Sequence, residues 1–235
     1  MKKAMRIKII CKLGLALTLV LTASTAFAQK RMRDAERHAT AAARVFDQIM
    51  AVRDRSIPRD LLNKTEAIAV FPGVVKAAFI LGGHGGQGVI SRRIKNGWTA
   101  PAFFNLGGAS IGLQIGAQKT DYVLLIMNQE GLKGLLEDKF EIGGEVSVAA
   151  GPVGRTASAT TNVTLDAAIL SYSRSKGAFV GVALKGGTIT PDNDLNEAVY
   201  DGKKAREVLS GEIDIDTMPP AVRIFPATLS RYSRR

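Results

Sequence analysis

Cysteine is nearly missing from this 235-residue sequence: Cys11 is the only one. One thiol closes no disulfide within the chain and supplies no thiolate cluster for zinc. Histidine is almost as scarce, with only His38 and His84. Two imidazoles far apart in sequence, without clustered carboxylates, make no recognisable ligand set, so neither metal nor cofactor is expected. Asp192-Asn193-Asp194 lacks the twelve-residue pattern of a calcium loop and reads as a solvated turn. Aromatics are few, at 6%, against 24 glycines. That balance favours tight turns and closely approaching strands over a helical bundle. The apolar run Leu13 to Leu21 falls well short of the roughly 20 residues that span a bilayer comfortably.

What is present begins with a basic head: Lys2, Lys3, Arg6, Lys8 and Lys12, with no acid. The short apolar run follows, then Ala26-Phe27-Ala28. These are the three parts of a secretory signal peptide, with cleavage predicted after Ala28. Cys11 lies inside the head, ahead of the apolar run, which excludes lipidation there and leaves the mature chain without cysteine. The formal net charge of +11 becomes +6 without the five head cations. A moderately basic secreted chain is biased toward phosphate-bearing surfaces, and nucleic acid is not an expected partner.

From Arg31 to Asp54 the pattern is helical. Ala35, Ala39, Ala42, Phe46 and Ile49 recur at spacings of three and four and form one narrow stripe. Arg33, Arg37, Arg44 and Arg55 fall opposite. A small-residued stripe favours packing against a sheet over insertion into a membrane interface. Pro58 suits the first turn of a further short helix through Leu61-Leu62.

From Ala67 the period changes to two. Ala67 to Leu81 is β-rich, interrupted by Pro72-Gly73. Gly82 to Gly88 reads as a glycine-rich turn, Val89 to Ile94 as a strand, and Asn96-Gly97 as a hairpin turn. Ser110 to Gln118 alternates strictly. Tyr122 to Met127 is continuously apolar, as expected of a strand buried on both faces. Leu132, Leu135 and Leu136 mark a short helix. Phe140 to Ala150 alternates again. Ala168 to Tyr172 and Phe179 to Leu184 complete the strands, Gly186-Gly187 turns the chain, and Lys203 to Leu209 forms a last short helix. The prolines after Ile213 predict an extended, partly mobile basic tail.

Two glycine-rich strings imitate catalytic signatures. Gly83-His84-Gly85-Gly86-Gln87-Gly88 has dinucleotide-binding spacing, but strand composition follows it where a helix N-terminus is needed. It reads instead as a β-turn requiring positive φ. Gly108-Ala109-Ser110-Ile111-Gly112 has nucleophile-elbow spacing, yet a strand pattern follows Ser110 and both histidines lie upstream. No catalytic residue is expected. The cations offer a better candidate site. Lys30, Arg31, Arg33, Arg37 and Arg44 load the first helix, and Arg92, Arg93 and Lys95 flank the Asn96-Gly97 tip beside Trp98. Cations next to an interfacial aromatic suit contact at headgroup level.

Five strings in order resemble the SYLF (Ysc84-related) lipid-binding domain family. They are Ala67 to Lys76 (AIAVFPGVVK), Gly97 to Phe104 (GWTAPAFF), Gly112 to Gln118 (GLQIGAQ), Ala150 to Arg155 (AGPVGR) and Ser171 to Phe179 (SYSRSKGAF). The resemblance spans roughly residues 34 to 213. It implies a lipid-binding module, which in eukaryotic relatives recognises phosphoinositides and in some associates with actin.

These readings together predict an α+β fold, with N-terminal helices packed on a mostly antiparallel, barrel-like or strongly curved glycine-rich sheet. The predicted organisation is a signal peptide at 1–28, the SYLF-like domain at 29–213 and an extended tail at 214–235. The expected protein is a secreted or periplasmic bacterial member that binds anionic phospholipid headgroups peripherally, with no enzyme activity and no actin partner. The alternatives are a carrier enclosing an apolar ligand in the sheet, or a structural protein-interaction module of the envelope.

Overall fold

The computed structural model describes residues 28–52, 56–78, 81–111, 116–137, 140–144, 146–154, 166–184 and 186–233. The predicted signal peptide thus lies outside the described residues, save Ala28. Helix α1 covers residues 28–50. Its alanine stripe is fully inside: Ala35, Ala39, Ala42 and Phe46 are 0% exposed. They belong to the same core as the strands, so α1 packs as its small side chains require. Helix α2 (Arg59–Lys64) follows Pro58 and buries Leu61 and Leu62.

The sheet is built around β1 (Ala67–Ala78). Its antiparallel neighbours are β2 (Leu81–Ile94) and β5 (Gly116–Ile126). Beyond β2 lie β4 (Ala102–Ile111), β10 (Gly187–Pro191) and the edge strand β6 (Phe140–Ile142). Beyond β5 lie β8 (Ile169–Ser175) and the edge strand β7 (Val148–Ala150). β3 (Gly97–Trp98) pairs with β2 and β9 (Ala178–Gly181) with β8. Among the described strands all pairings are antiparallel except β7 with β8, and a parallel bridge links Ile142 of β6 to Val146. The result is an α+β fold with the N-terminal helices against a strongly curved, nearly closed sheet.

Pro72-Gly73 sits in the middle of the central strand, where proline would normally end the ladder. A bulge resolves the conflict. Between Val70 and Val75 the β1 register slips by one residue against β2, and between Phe71 and Val74 it slips against β5. Gly73 takes the positive φ of 58° at this point. Its freed N–H donates to Asp121 Oδ1 of β5 at 2.8 Å. The other carboxylate oxygen accepts from Arg174 Nε at 2.9 Å and pairs with Nη2 at 2.8 Å. Arg174 Nη1 in turn donates to Gln48 of α1 at 2.6 Å. One carboxylate therefore ties the bulge, β8 and α1 together. Removing it in Asp121→Ala strands a part-buried guanidinium and an amide, which costs about 2 kcal/mol. A urea titration showing no shift in midpoint would contradict that role.

The segment Gly82 to Gly88 is not a turn. It lies inside β2, and Gly83, Gly85, Gly86 and Gly88 do not have positive φ. Glycine is needed there for space on the β1 side: a Cβ on Gly86 would come within 2.8 Å of Val74 Cγ2, and one on Gly88 would strike the Val70 carbonyl and the Phe71 ring. Ser110 to Gln118 is likewise not one strand. Ile111 ends β4 opposite Leu81 of β2, and Gly116 opens β5 opposite Ala78 of β1, so the stretch is shared by two strands with different partners. Phe140 to Ala150 divides into β6 and β7 after Gly143, whose φ is 80°.

The continuous apolar strand is as expected, with Val123 to Ile126 all buried. Helix α3 (Gln129–Leu135) starts at Asn128, whose side chain accepts from the Gly131 N–H at 3.0 Å. Helices α4 (Asn193–Val199) and α5 (Ala205–Ser210) follow β10. Asp192 caps α4, accepting from Leu195 N at 3.1 Å, so the acidic triplet begins a helix and is not simply a solvated turn.

The largest departure from expectation is the tail. Pro220–Tyr232 is helix α6, with Val222, Phe225 and Leu229 fully buried. Pro220 stands at its first turn, where the missing N–H costs nothing. Residue 213 is therefore no boundary of the packed structure. Large side chains fill the interior, including Phe71, Phe103, Phe104, Phe140 and Tyr172, each at most 1% exposed.

Candidate functional site

The candidate cations divide into two groups with different surroundings. On α1, Lys30, Arg33, Arg37 and Arg44 are exposed. At about 100° per residue their positions span a ~60° arc opposite the alanine stripe. Arg37 pairs with Asp34 at 3.0 Å along the same helix. Arg31 is half-buried and already engaged. The helix thus presents an outward basic face, held in position by its buried side.

The β2–β3 group is different. Trp98 is only 4% exposed, so it is not an interfacial aromatic. Its indole Nε1–H donates to Ser233 Oγ at 3.2 Å, and Ser233 Oγ donates to the Leu229 carbonyl at 2.8 Å. Arg93 lies over the Trp98 ring at 4.3 Å. It also donates to the carbonyls of Leu62 (2.6 Å) and Thr65 (2.9 Å), at the C-terminal end of α2. A guanidinium there satisfies carbonyls that the helix leaves open. Arg93 is therefore largely a structural clamp. Arg92 is half-buried, its Nε without a partner. Lys95 stays exposed in the Lys95-Asn96 turn, one residue earlier than expected, with Gly97 opening β3.

Between this tip and the C-terminal turn of α6 runs an open groove of about 470 Å³. Arg93, Lys95 and Asn96 line one side, Ser230 and Arg231 the other. Arg231 is anchored from behind, pairing with Asp47 of α1 at 3.2 Å and donating to Thr228 Oγ1 at 3.1 Å. Tyr232 donates its hydroxyl to the same Asp47 at 2.6 Å and meets Phe46 edge-on at 6.0 Å. Reading the tail as extended missed Ser230, Arg231 and Ser233. The signal was present: Val222, Phe225 and Leu229 recur at helical spacing behind Pro220.

A second depression, about 570 Å³, lies over the β1 bulge, with Arg37 and His38 at its rim and Gly73, Gly85 and Gly86 in its floor. The strand setting removes both catalytic resemblances. Gly83 to Gly88 precedes no helix, and Ser110 is followed by Ile111, still in β4. Gly108, opposite His84, leaves room for the imidazole, whose Nε2 has no partner. Among the described residues no three metal-ligating side chains cluster, and no helix is long and apolar enough to cross a membrane.

Burial lowers the pKa of both imidazoles. Arg37 adds to the effect at His38, against Asp34, Asp192 and a hydrogen bond with Gln87, and Lys76 adds to it at His84. An unfolded histidine titrates near 6.5, so the unfolded chain takes up these protons first as pH falls. Their contribution is complete above that value and is lost as pH falls toward the lower folded values. Thermal melts between pH 7.5 and 5 should show Tm declining with acidity, less steeply in His84→Gln. An equal slope in that variant would contradict the assignment to His84.

A family model described as "Ysc84: Las17-binding protein actin regulator" matches residues 107–232. LAS seventeen-binding protein 3 of Saccharomyces cerevisiae is 38% identical over 174 residues, covering 72% of this chain and 37% of that protein. Protein YSC84 of the same yeast is 33% identical over 187 residues, 77% of this chain and 40% of that protein. SH3 domain-containing YSC84-like protein 1 of Xenopus laevis is 30% identical over 164 residues, 68% of this chain and 49% of that protein. The chain thus spans less than half the length of these relatives.

These findings correct several expectations. The relatives are yeast and vertebrate proteins, which overturns the reading as a secreted bacterial member with a periplasmic or extracellular location. The family is described by a protein partner and by actin, which overturns peripheral phospholipid binding as the activity and the exclusion of actin as a partner. The family match also runs through α6, the segment read as a tail.

Proposed function

The chain belongs to the Ysc84 family of Las17-binding actin regulators, and from that premise we propose that it is a protein-interaction module acting on the actin machinery. It is not an enzyme. The observation that carries the proposal is the family match, which spans more than half of the chain. The exposed arc of Lys30, Arg33, Arg37 and Arg44 supports it physically. Its backbone is fixed by a buried stripe, so a partner pays little ordering entropy in the helix itself. Opposite charge on the partner would steer encounter and set orientation.

The test is retention of the full chain by polymerised actin on co-sedimentation and by immobilised Las17. At least one should retain it with micromolar affinity. Charge reversal in Arg33→Glu with Arg44→Glu should weaken that binding about tenfold, with steeper loss as salt rises. Retention by neither, with native circular dichroism, would sink the proposal.

A further inference from the structure

We infer that the groove between the β2–β3 tip and the C-terminal turn of α6 holds an acidic peptide segment. The inference rests on the protein-interaction reading and names the chemistry of one contact within it.

None of the groove's lining residues is acidic, while Arg93, Lys95 and Arg231 are cationic. The two guanidiniums are already held in place. Arg93 is fixed by the Leu62 and Thr65 carbonyls and the Trp98 ring, and Arg231 by Asp47 and Thr228. Donors fixed in advance lose less freedom when a carboxylate arrives, and the planar fork matches a carboxylate. Lys95 is exposed, and no carboxylate among the described residues pairs with it. Ser233 Oγ occupies the Leu229 carbonyl, reducing the negative end that α6 turns toward the groove.

The shape fits an extended segment. Gly97 leaves the floor open, where even a first side-chain carbon would stand 3.8 Å from Ser230 Oγ. Arg93 and Lys95 stand on the β2–β3 wall and Arg231 on the α6 wall, so an extended segment lying between them meets cations on both sides. With Trp98 buried, no aromatic side chain among the described residues is exposed to enter a bilayer.

The experiment is fluorescence anisotropy of labelled decaglutamate titrated with the full chain at low salt. Binding should be micromolar and fall about tenfold in the double variant Lys95→Glu, Arg231→Gln. The matched charge change on α1, Arg33→Glu with Arg44→Gln, should alter it less than about twofold. Lys95→Glu alone lies in an exposed turn, which keeps the test open if the double variant fails to fold. Equal weakening by the groove and α1 changes overturns the inference, because only net charge would then matter. So does binding to phosphatidylserine vesicles without binding to decaglutamate. If decaglutamate fails while actin or Las17 is still retained, the groove inference falls and the interaction reading stands.

Discussion

Phe46→Ala is expected to destabilise the protein by about 4 kcal/mol, near the middle of the range for deleting a buried phenyl group. Phe46 is 0% exposed and closes the alanine stripe of α1. It also meets Tyr232 of α6 edge-on at 6.0 Å, so one ring supports both terminal helices. For a chain of this size the loss corresponds to a Tm lower by about 8–16 °C. The variant should also loosen the neighbouring Asp47 contacts with Arg231 and Tyr232. Hydrogen exchange should therefore rise in α6 as well as in α1. Faster exchange confined to α1 would mean that α6 is held by β3 alone.

Gly88→Ala should lower stability by about 3 kcal/mol, although alanine suits a strand better than glycine does. The added methyl meets the Val70 carbonyl and the Phe71 ring, and the first of these is backbone of the bulged central strand. A flexible side chain would turn aside at little cost, whereas a strand paired on both sides cannot. The expected loss in Tm is about 6–12 °C. Gly85→Ala is the control. Its nearest contact would be the Leu106 carbonyl at 3.9 Å, ordinary van der Waals distance, so its effect should be small. Equal melting of the two variants would contradict the claim that Gly88 is there for space.

These two residues show how far local pattern reaches. Ala35, Ala39, Ala42, Phe46 and Ile49 advertise a buried helical face by spacing alone, and all are 2% exposed or less. Val123 to Ile126 announce a strand buried on both faces in the same way. Gly82 to Gly88 gave no such lead. A glycine required for positive φ and one required for clearance are the same letter, and only the neighbouring strand distinguishes them. The cations behave likewise. Arg33 and Arg44 lie on the face that helical periodicity assigns them. Arg93 and Trp98 looked like an exposed pair, but Trp98 is buried and Arg93 half-buried over its ring, because Trp98 bonds to Ser233, 135 residues away.

The sequence by itself determined the α+β class, the inward face of α1 and the buried centre of β5. Each depends on composition or on a period of a few residues, which the chain carries locally. Tertiary structure decided the bulge pinned by Asp121, the burial of Trp98, and the docking of α6 along one side of a basic groove. Those depend on which distant segments meet, and that is set by the packing of the whole sheet.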